Sequence, residues 1–185
     1  VYTFTVSLAA FDWIASLTPS WYSSGFGLVV GTGQMLSAAA FGVACGVKAG
    51  DAGALRRRYH DLGNLLLMYV LTWAYLAFTQ FLIIWAGNLP EEIPFFLARL
   101  RDGWQYVSVL LLLGQFAIPF CLLLSRDLKR RPESLARVCW WLLAMRLVDL
   151  IWIVAPNFPH GGFPITLANV GIPIALAGVW FYLFA

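Results

Sequence analysis

Charge is scarce in this sequence. Only 11% of the 185 residues are Asp, Glu, Lys or Arg, while 61% are hydrophobic; an average soluble domain carries about a quarter charged residues. That balance excludes an ordinary water-soluble domain and marks an integral membrane protein. The net charge of +3 therefore gives no argument for nucleic acid, which is not an expected partner. Histidine is nearly missing: His60 stands at a helix end and His160 in a loop. A membrane haem held by two histidines needs them facing each other inside the helices, which excludes it here. Cys45, Cys121 and Cys139 lie inside apolar segments without any C-x-x-C spacing. An iron–sulfur cluster or a c-type haem thus lacks ligands in this chain, and no cofactor or metal is expected in it. The first residues have neither a charged stretch nor a small-residue cleavage site, which excludes a signal peptide. A start at Val1 inside an apolar run is expected of a piece of a longer protein.

What the chain has is long apolar runs. Six can be delimited: Val1–Leu17, Ser23–Val47, Leu62–Gly87, Gly103–Ser125, Ser134–Ala155 and Leu167–Ala185. The expected fold is all-α, integral to the membrane, with six transmembrane segments. Short connections make neighbouring helices antiparallel. Lys48, Arg56, Arg57, Arg58, Arg126, Lys129, Arg130, Arg131 and Arg137 then fall on one side, and only Arg99 and Arg101 on the other. By the positive-inside rule the first group is cytoplasmic. The opposite side carries Asp12, Glu91, Glu92, Asp102, His160 and several prolines, a rigid acidic rim.

The segment Leu62–Gly87 has no charge and exceeds the roughly 20 residues a helix needs to cross a bilayer. It is not uniformly apolar. Asp61, Asn64, Met68, Thr72, Tyr75 and Thr79 follow at steps of three and four, which places them in one stripe. Leu66, Val70, Trp73, Ala77, Phe81 and Ile84 take the other side. A polar stripe does not face lipid cheaply, so it is expected to face protein or water. In Ser23–Val47 the small residues Ser24, Gly27, Gly31, Ala38, Gly42 and Cys45, with Gln34 in line, predict a close-packing face. In Gly103–Ser125, Gln105, Ser108, Leu112, Gln115 and Pro119 share a face, and Pro119 frees a carbonyl expected to be that of Gln115. Residues 88–102 hold an apolar piece with Ile93, Phe95, Phe96 and Leu100, suited to the membrane interface. Asp12, beside Trp13, reads as an interfacial carboxylate next to a belt tryptophan.

Segment Ser134–Ala155 carries Arg146 and Asp149 three residues apart, able to pair on one face. Each charge in mid-membrane costs on the order of 2.5–3.5 kcal/mol on insertion scales. Two readings stay open: a functional charge, or a buried pair that pins helix register.

Four runs, FDWIASLTPSWYSSGFG, HDLGNLLLMYVLTWAYLAFTQFLIIWAGNLPEEIPF, LLSRDLKRRPE and MRLVDLIWIVAPNF, together resemble the polysulphide-reductase-like (NrfD-type) membrane subunits of alternative complex III. The resemblance extends from Phe11 to Phe158. It implies two four-helix bundles flanked by single helices, of which these residues correspond to the carboxy-terminal half. Residues 1–17 would end a preceding transmembrane helix, 23–155 would form a four-helix up-down bundle, and 167–185 the closing helix. The first bundle, where relatives of this fold house quinone, falls outside this chain. The resemblance further implies a bacterial inner-membrane respiratory complex that oxidises quinol and passes electrons to cytochrome c or an oxidase. The expected partners are a second NrfD-like subunit, a multihaem cytochrome and an iron–sulfur subunit, which carry the haem c and iron–sulfur clusters, together with lipid and a cytochrome oxidase. Family subunits anchor these partners and contribute a proton route. In this sequence its candidates are His60 and Asp61 as a cytoplasmic mouth, and Asn64, Thr72, Tyr75, Thr79 and Gln115 as a wet seam. Arg146 and Asp149 would be the gate, since a carboxylate paired with arginine takes a proton only when the pair is broken. The alternatives are a purely structural scaffold, or a quinol or exit site near the outer face at Asp12, Glu91, Glu92 and His160.

Overall fold

The computed structural model describes residues 1–19, 21–48 and 58–158, and single positions between 171 and 182. Arg56, Arg57 and His160 lie outside the described residues. Of Leu167–Ala185, only those single positions, all helical, are described.

Among the described residues the chain is all-helical, without a strand. Its elements are α1 (Tyr2–Trp13), α2 (Phe26–Lys48), α3 (Tyr59–Gly87), α4 (Ile93–Ala98), α5 (Trp104–Leu111), α6 (Ile118–Leu124), α7 (Arg126–Arg130) and α8 (Pro132–Val154). A π-helical stretch, Leu112–Ala117, joins α5 to α6. Among the described residues, four helical stretches are long and apolar enough to cross a membrane: Phe26–Lys48, Tyr59–Gly87, Trp104–Leu124 and Pro132–Asn157. Val1–Leu17 forms the twelve-residue α1 and a short 3₁₀ turn, Ala15–Leu17.

Local chemistry sets the boundaries. α3 ends where Asn88 turns left-handed (φ 48°) and its N–H bonds the Ile84 carbonyl at 3.0 Å; Asn tolerates that conformation better than most residues. Pro94 and Pro132 stand in the first turns of α4 and α8, where a missing N–H costs nothing. Asp102 (φ 54°) and Gly103 (φ 91°) turn the chain into α5.

Pro119 shows how an interior proline is absorbed. The π-helical stretch shifts the bonding register, so that the Ile118 N–H reaches the Leu113 carbonyl. In that register Pro119 would have bonded Gly114. The Trp141 indole N–H donates to the Gly114 carbonyl instead, at 2.8 Å. The freed acceptor is thus Gly114, one residue before the expected Gln115. The same extra residue in the turn leaves Leu112 exposed, while Leu111, Gln115 and Pro119 are buried.

α2 is the central helix, packed against α1, α3 and α8. Its buried stripe is Phe26, Val29, Val30, Gly33, Leu36, Ala40, Val43 and Ala44. The expected small-residue face is only partly a packing face. Gly27 meets Ser7, whose Cα would lie 2.7 Å from a Cβ there, and Gly31 approaches Val6. Gln34 accepts a hydrogen bond from the Tyr2 hydroxyl at 3.0 Å, tying α1 to α2. Ser24, Ala38 and Gly42 are exposed, because the face that carries Leu36 and Val43 is the one α2 turns to its neighbours.

The interior has three levels. At the basic end, Leu36, Ala40, Val43, Ala44, Tyr59, Leu66, Val70, Leu123, Leu135, Val138, Cys139 and Leu142 form one apolar layer. At the opposite end, Ala10, Trp21, Phe26, Val30, Ile84, Phe95 and Ile153 form a second, rich in aromatic rings. Along α2, α3 and α8 the residues between these layers include Gly33, Trp73, Met145, Arg146 and Asp149, all buried.

Candidate functional site: a buried ion pair between two apolar layers

The core stripe of α8 runs Leu135, Val138, Cys139, Leu142, Met145, Arg146, Asp149, Ile153. Arg146 and Asp149 occupy it at the spacing that brings side chains together on one helix face. They are 4% and 2% exposed. The Arg146 Nη1 donates to Asp149 Oδ2, an ion pair within the helix. The guanidinium lies flat on α2 at Gly33, where any Cβ would collide with Nη1, Nη2 and Cζ. Glycine at this position is therefore what admits the arginine between two packed helices.

Other polar groups accompany the pair. Gly114 packs on Met145, the residue before Arg146; a Cβ there would stand 2.5 Å from the Met145 Sδ. The next residue, Gln115, is 0% exposed, and neither its Oε1 nor its Nε2 has a hydrogen-bond partner. Arg146 Nε and Trp73 Nε1 are also without one. Trp21 Nε1 and the Tyr59 hydroxyl, in the two apolar layers, are in the same state; buried polar atoms of this kind are the ones that water bridges.

The polar stripe of α3 does not join this level. Its residues face away from the described interior: Tyr75 is 68% exposed and Met68 48%, Asp61, Asn64 and Thr72 are exposed, and Thr79 is half-buried. The opposite face, Tyr59, Gly63, Leu66, Val70, Trp73 and Ile84, is the buried one. The expectation that Asn64, Thr72, Tyr75 and Thr79 share an interior with Arg146 and Asp149 is thus corrected. Two physical reasons account for it. The apolar face offers far more area to bury, and part of the stripe is satisfied locally. The Thr72 hydroxyl donates to the Met68 carbonyl at 2.9 Å, and Asn64 bridges His60 and Lys129. The stripe instead edges a groove of about 200 Å³ between α1, α2 and α3, lined by Tyr2, Val6, Met35, Met68, Tyr69 and Thr72 among others.

His60 and Asp61 stand at the basic end, His60 half-buried, with 3.7 Å between the ring Nδ1 and the carboxylate. The apolar layer of Leu66, Val70, Leu123 and Leu142 lies between them and the level of Asp149. At the other end Asp12 and Glu91 are exposed and Glu92 is half-buried.

Three residues escaped the sequence reading. Arg99, read as a loop charge, is 0% exposed. Its guanidinium donates to the carbonyls of Phe95 (2.6 Å), Trp152 (3.2 Å) and Ile153 (2.5 Å). It lies 3.5 Å from the Phe95 ring centre and 5.3 Å from that of Trp152, a cation–π arrangement. Burial pushes its pKa down to about 9, which leaves it protonated at neutral pH. A cation here caps the last carbonyls of α8. Lys129, read as one charge in a basic run, is 5% exposed. Gly33, which seats Arg146, left no local signal.

Compared with models of known families and with curated proteins, the chain matches none.

Proposed function

We propose that this chain is a multi-pass membrane subunit of a quinol-oxidising respiratory complex of the alternative complex III type, in a bacterial inner membrane. In this reading six spans form an up-down four-helix bundle with one helix on each side. Partner subunits carry haem c and iron–sulfur clusters and are anchored by it. Within the complex, Asp149 is the group that changes protonation during turnover. Asp149 takes up a proton when Arg146 leaves the carboxylate and gives it up onward when the pair closes again.

One observation carries the proposal: an ionisable pair buried in the long apolar helix α8, with the Arg146 Nε left without a partner. A charge at this depth is expensive, and its retention is a functional signature by default. The sequence resemblance supplies the redox setting. The test is Asp149→Asn in the assembled complex, reading protons translocated per electron. The expected result is quinol oxidation retained with translocation lost. Unchanged stoichiometry would refute it.

A scaffold role is the second reading. It is favoured by the apolar layer between Asp61 and Asp149, which leaves no continuous polar route from the basic end among the described residues. A scaffold predicts that Asp149→Asn alters assembly or nothing, and that translocation per electron is untouched.

A further inference from the structure

Lys129 sits on the short helix α7 at the basic end of the bundle. A lysine at a membrane surface ordinarily extends its ammonium outward to water and headgroups. This one runs sideways across α3. Its methylenes lie on Gly63, where a Cβ would stand 2.6 Å from Lys129 Cγ and 2.7 Å from Cδ. Any larger residue at Gly63 would close that passage. The Nζ ends 2.7 Å from the Asn64 Oδ1, and Asn64 faces outward from α3. The Asn64 Nδ2 in turn lies 3.3 Å from the His60 Nδ1.

An ammonium has three donors. Here one goes to a neutral amide. Among the described residues none accepts the other two, and no carboxylate lies within 4 Å. Asp61 is 3.7 Å from His60 rather than on the lysine. A cation so nearly sealed calls for a counter-charge. Arg58, Arg126, Arg130 and Arg131 are all exposed on the same end, outweighing Asp61, Asp127 and Glu133 and drawing anions to it. The buried Lys129 and the outward Asn64 amide stand near the start of the long apolar helix α3.

We propose that Lys129, Asn64 and His60 form a binding site for a phosphate group, with the Lys129 Nζ as the charged donor and the Asn64 side chain holding it in place. The phosphate is that of an anionic lipid of the basic-side leaflet or a free phosphate; basic pockets at helix ends recognise such groups.

The test uses the purified full chain, or its complex, stripped of lipid in neutral detergent. Thermal midpoints are measured after adding phosphatidylglycerol, cardiolipin, phosphatidylcholine or inorganic phosphate. The anionic lipids are expected to raise the midpoint and phosphatidylcholine to leave it. Inorganic phosphate acting as well as the lipids assigns the site to the free anion. Lys129→Gln is expected to weaken anion binding roughly tenfold or more, and Arg137→Gln, on the same face, less than twofold. Asn64→Ala, on the exposed face of α3, gives a second measurement if Lys129→Gln fails to fold, and is expected to weaken binding too. Equal response to phosphatidylcholine, or equal losses in Lys129→Gln and Arg137→Gln, would overturn the site in favour of a diffuse basic surface. Undiminished binding in Asn64→Ala would do the same.

Discussion

Arg99 and Arg146 are both sealed inside this protein, and their charges are met in opposite ways. Among the described residues, no carboxylate pairs with Arg99. Three backbone carbonyls and two aromatic rings surround it, and the carbonyls belong to α4 and to the end of α8. Arg146 has a carboxylate three residues away and a bare glycine backbone beneath it. The first arrangement is a cap that fastens one helix end to a neighbouring turn. The second sets a carboxylate, Asp149, against the cation. Burial of a charge is therefore not what separates structural from functional candidates here; the chemistry of the partner is.

Substitutions at the two sites sharpen that contrast, and the largest effects are expected where a charge is left alone. Arg146→Met leaves Asp149 buried without its partner and should cost about 3–5 kcal/mol, as broken buried pairs do. The double change Arg146→Met with Asp149→Leu should recover most of it. Denaturant unfolding in detergent reads both, and a double variant as unstable as the single would show that the pair contributes more than charge compensation. Arg99→Leu exposes three buried carbonyls and should cost about 3 kcal/mol or more. No second-site removal is expected to rescue it, since backbone carbonyls cannot be deleted. Recovery by any single substitution at Phe95 or Trp152 would erase the distinction.

Smaller effects follow. Gly33→Ala pushes a methyl into the Arg146 guanidinium and should cost about 1–3 kcal/mol, the usual penalty for overpacking. In the background of Arg146→Met the same change should cost less, a coupling that a double-mutant cycle measures. Trp141→Phe removes the donor to the Gly114 carbonyl and should cost about 1 kcal/mol. Thr72→Val, on the exposed stripe of α3 with its hydroxyl already bonded to its own helix, should stay within about 0.5 kcal/mol for the isolated chain.

Much of the helical frame was readable in the residues, because length and continuous apolarity leave few alternatives. The Arg146–Asp149 pair was readable too, since its contact lies within a single helix turn. Pro119 was read to within one residue: a freed carbonyl was expected, but the π-helical shift moved it from Gln115 to Gly114. The facing of α3 was misread for a physical reason. The stripe argument weighed polarity and spacing alone, whereas Thr72 bonds the carbonyl one turn back and Asn64 takes the Lys129 ammonium. What stayed hidden depends on contacts between distant segments. Gly33 meets Arg146 across more than a hundred residues of sequence, and Arg99 reaches carbonyls on another helix. No local pattern encodes either.

The most direct measurement is the infrared difference spectrum of the assembled complex between its quinol-reduced and oxidised states. A carboxyl band that appears and vanishes with turnover is expected in the wild type and in Asp61→Asn, and is expected to be missing in Asp149→Asn. The same band persisting in Asp149→Asn would contradict the assignment of proton exchange to the buried pair, as would a wild type with no carboxyl change at all.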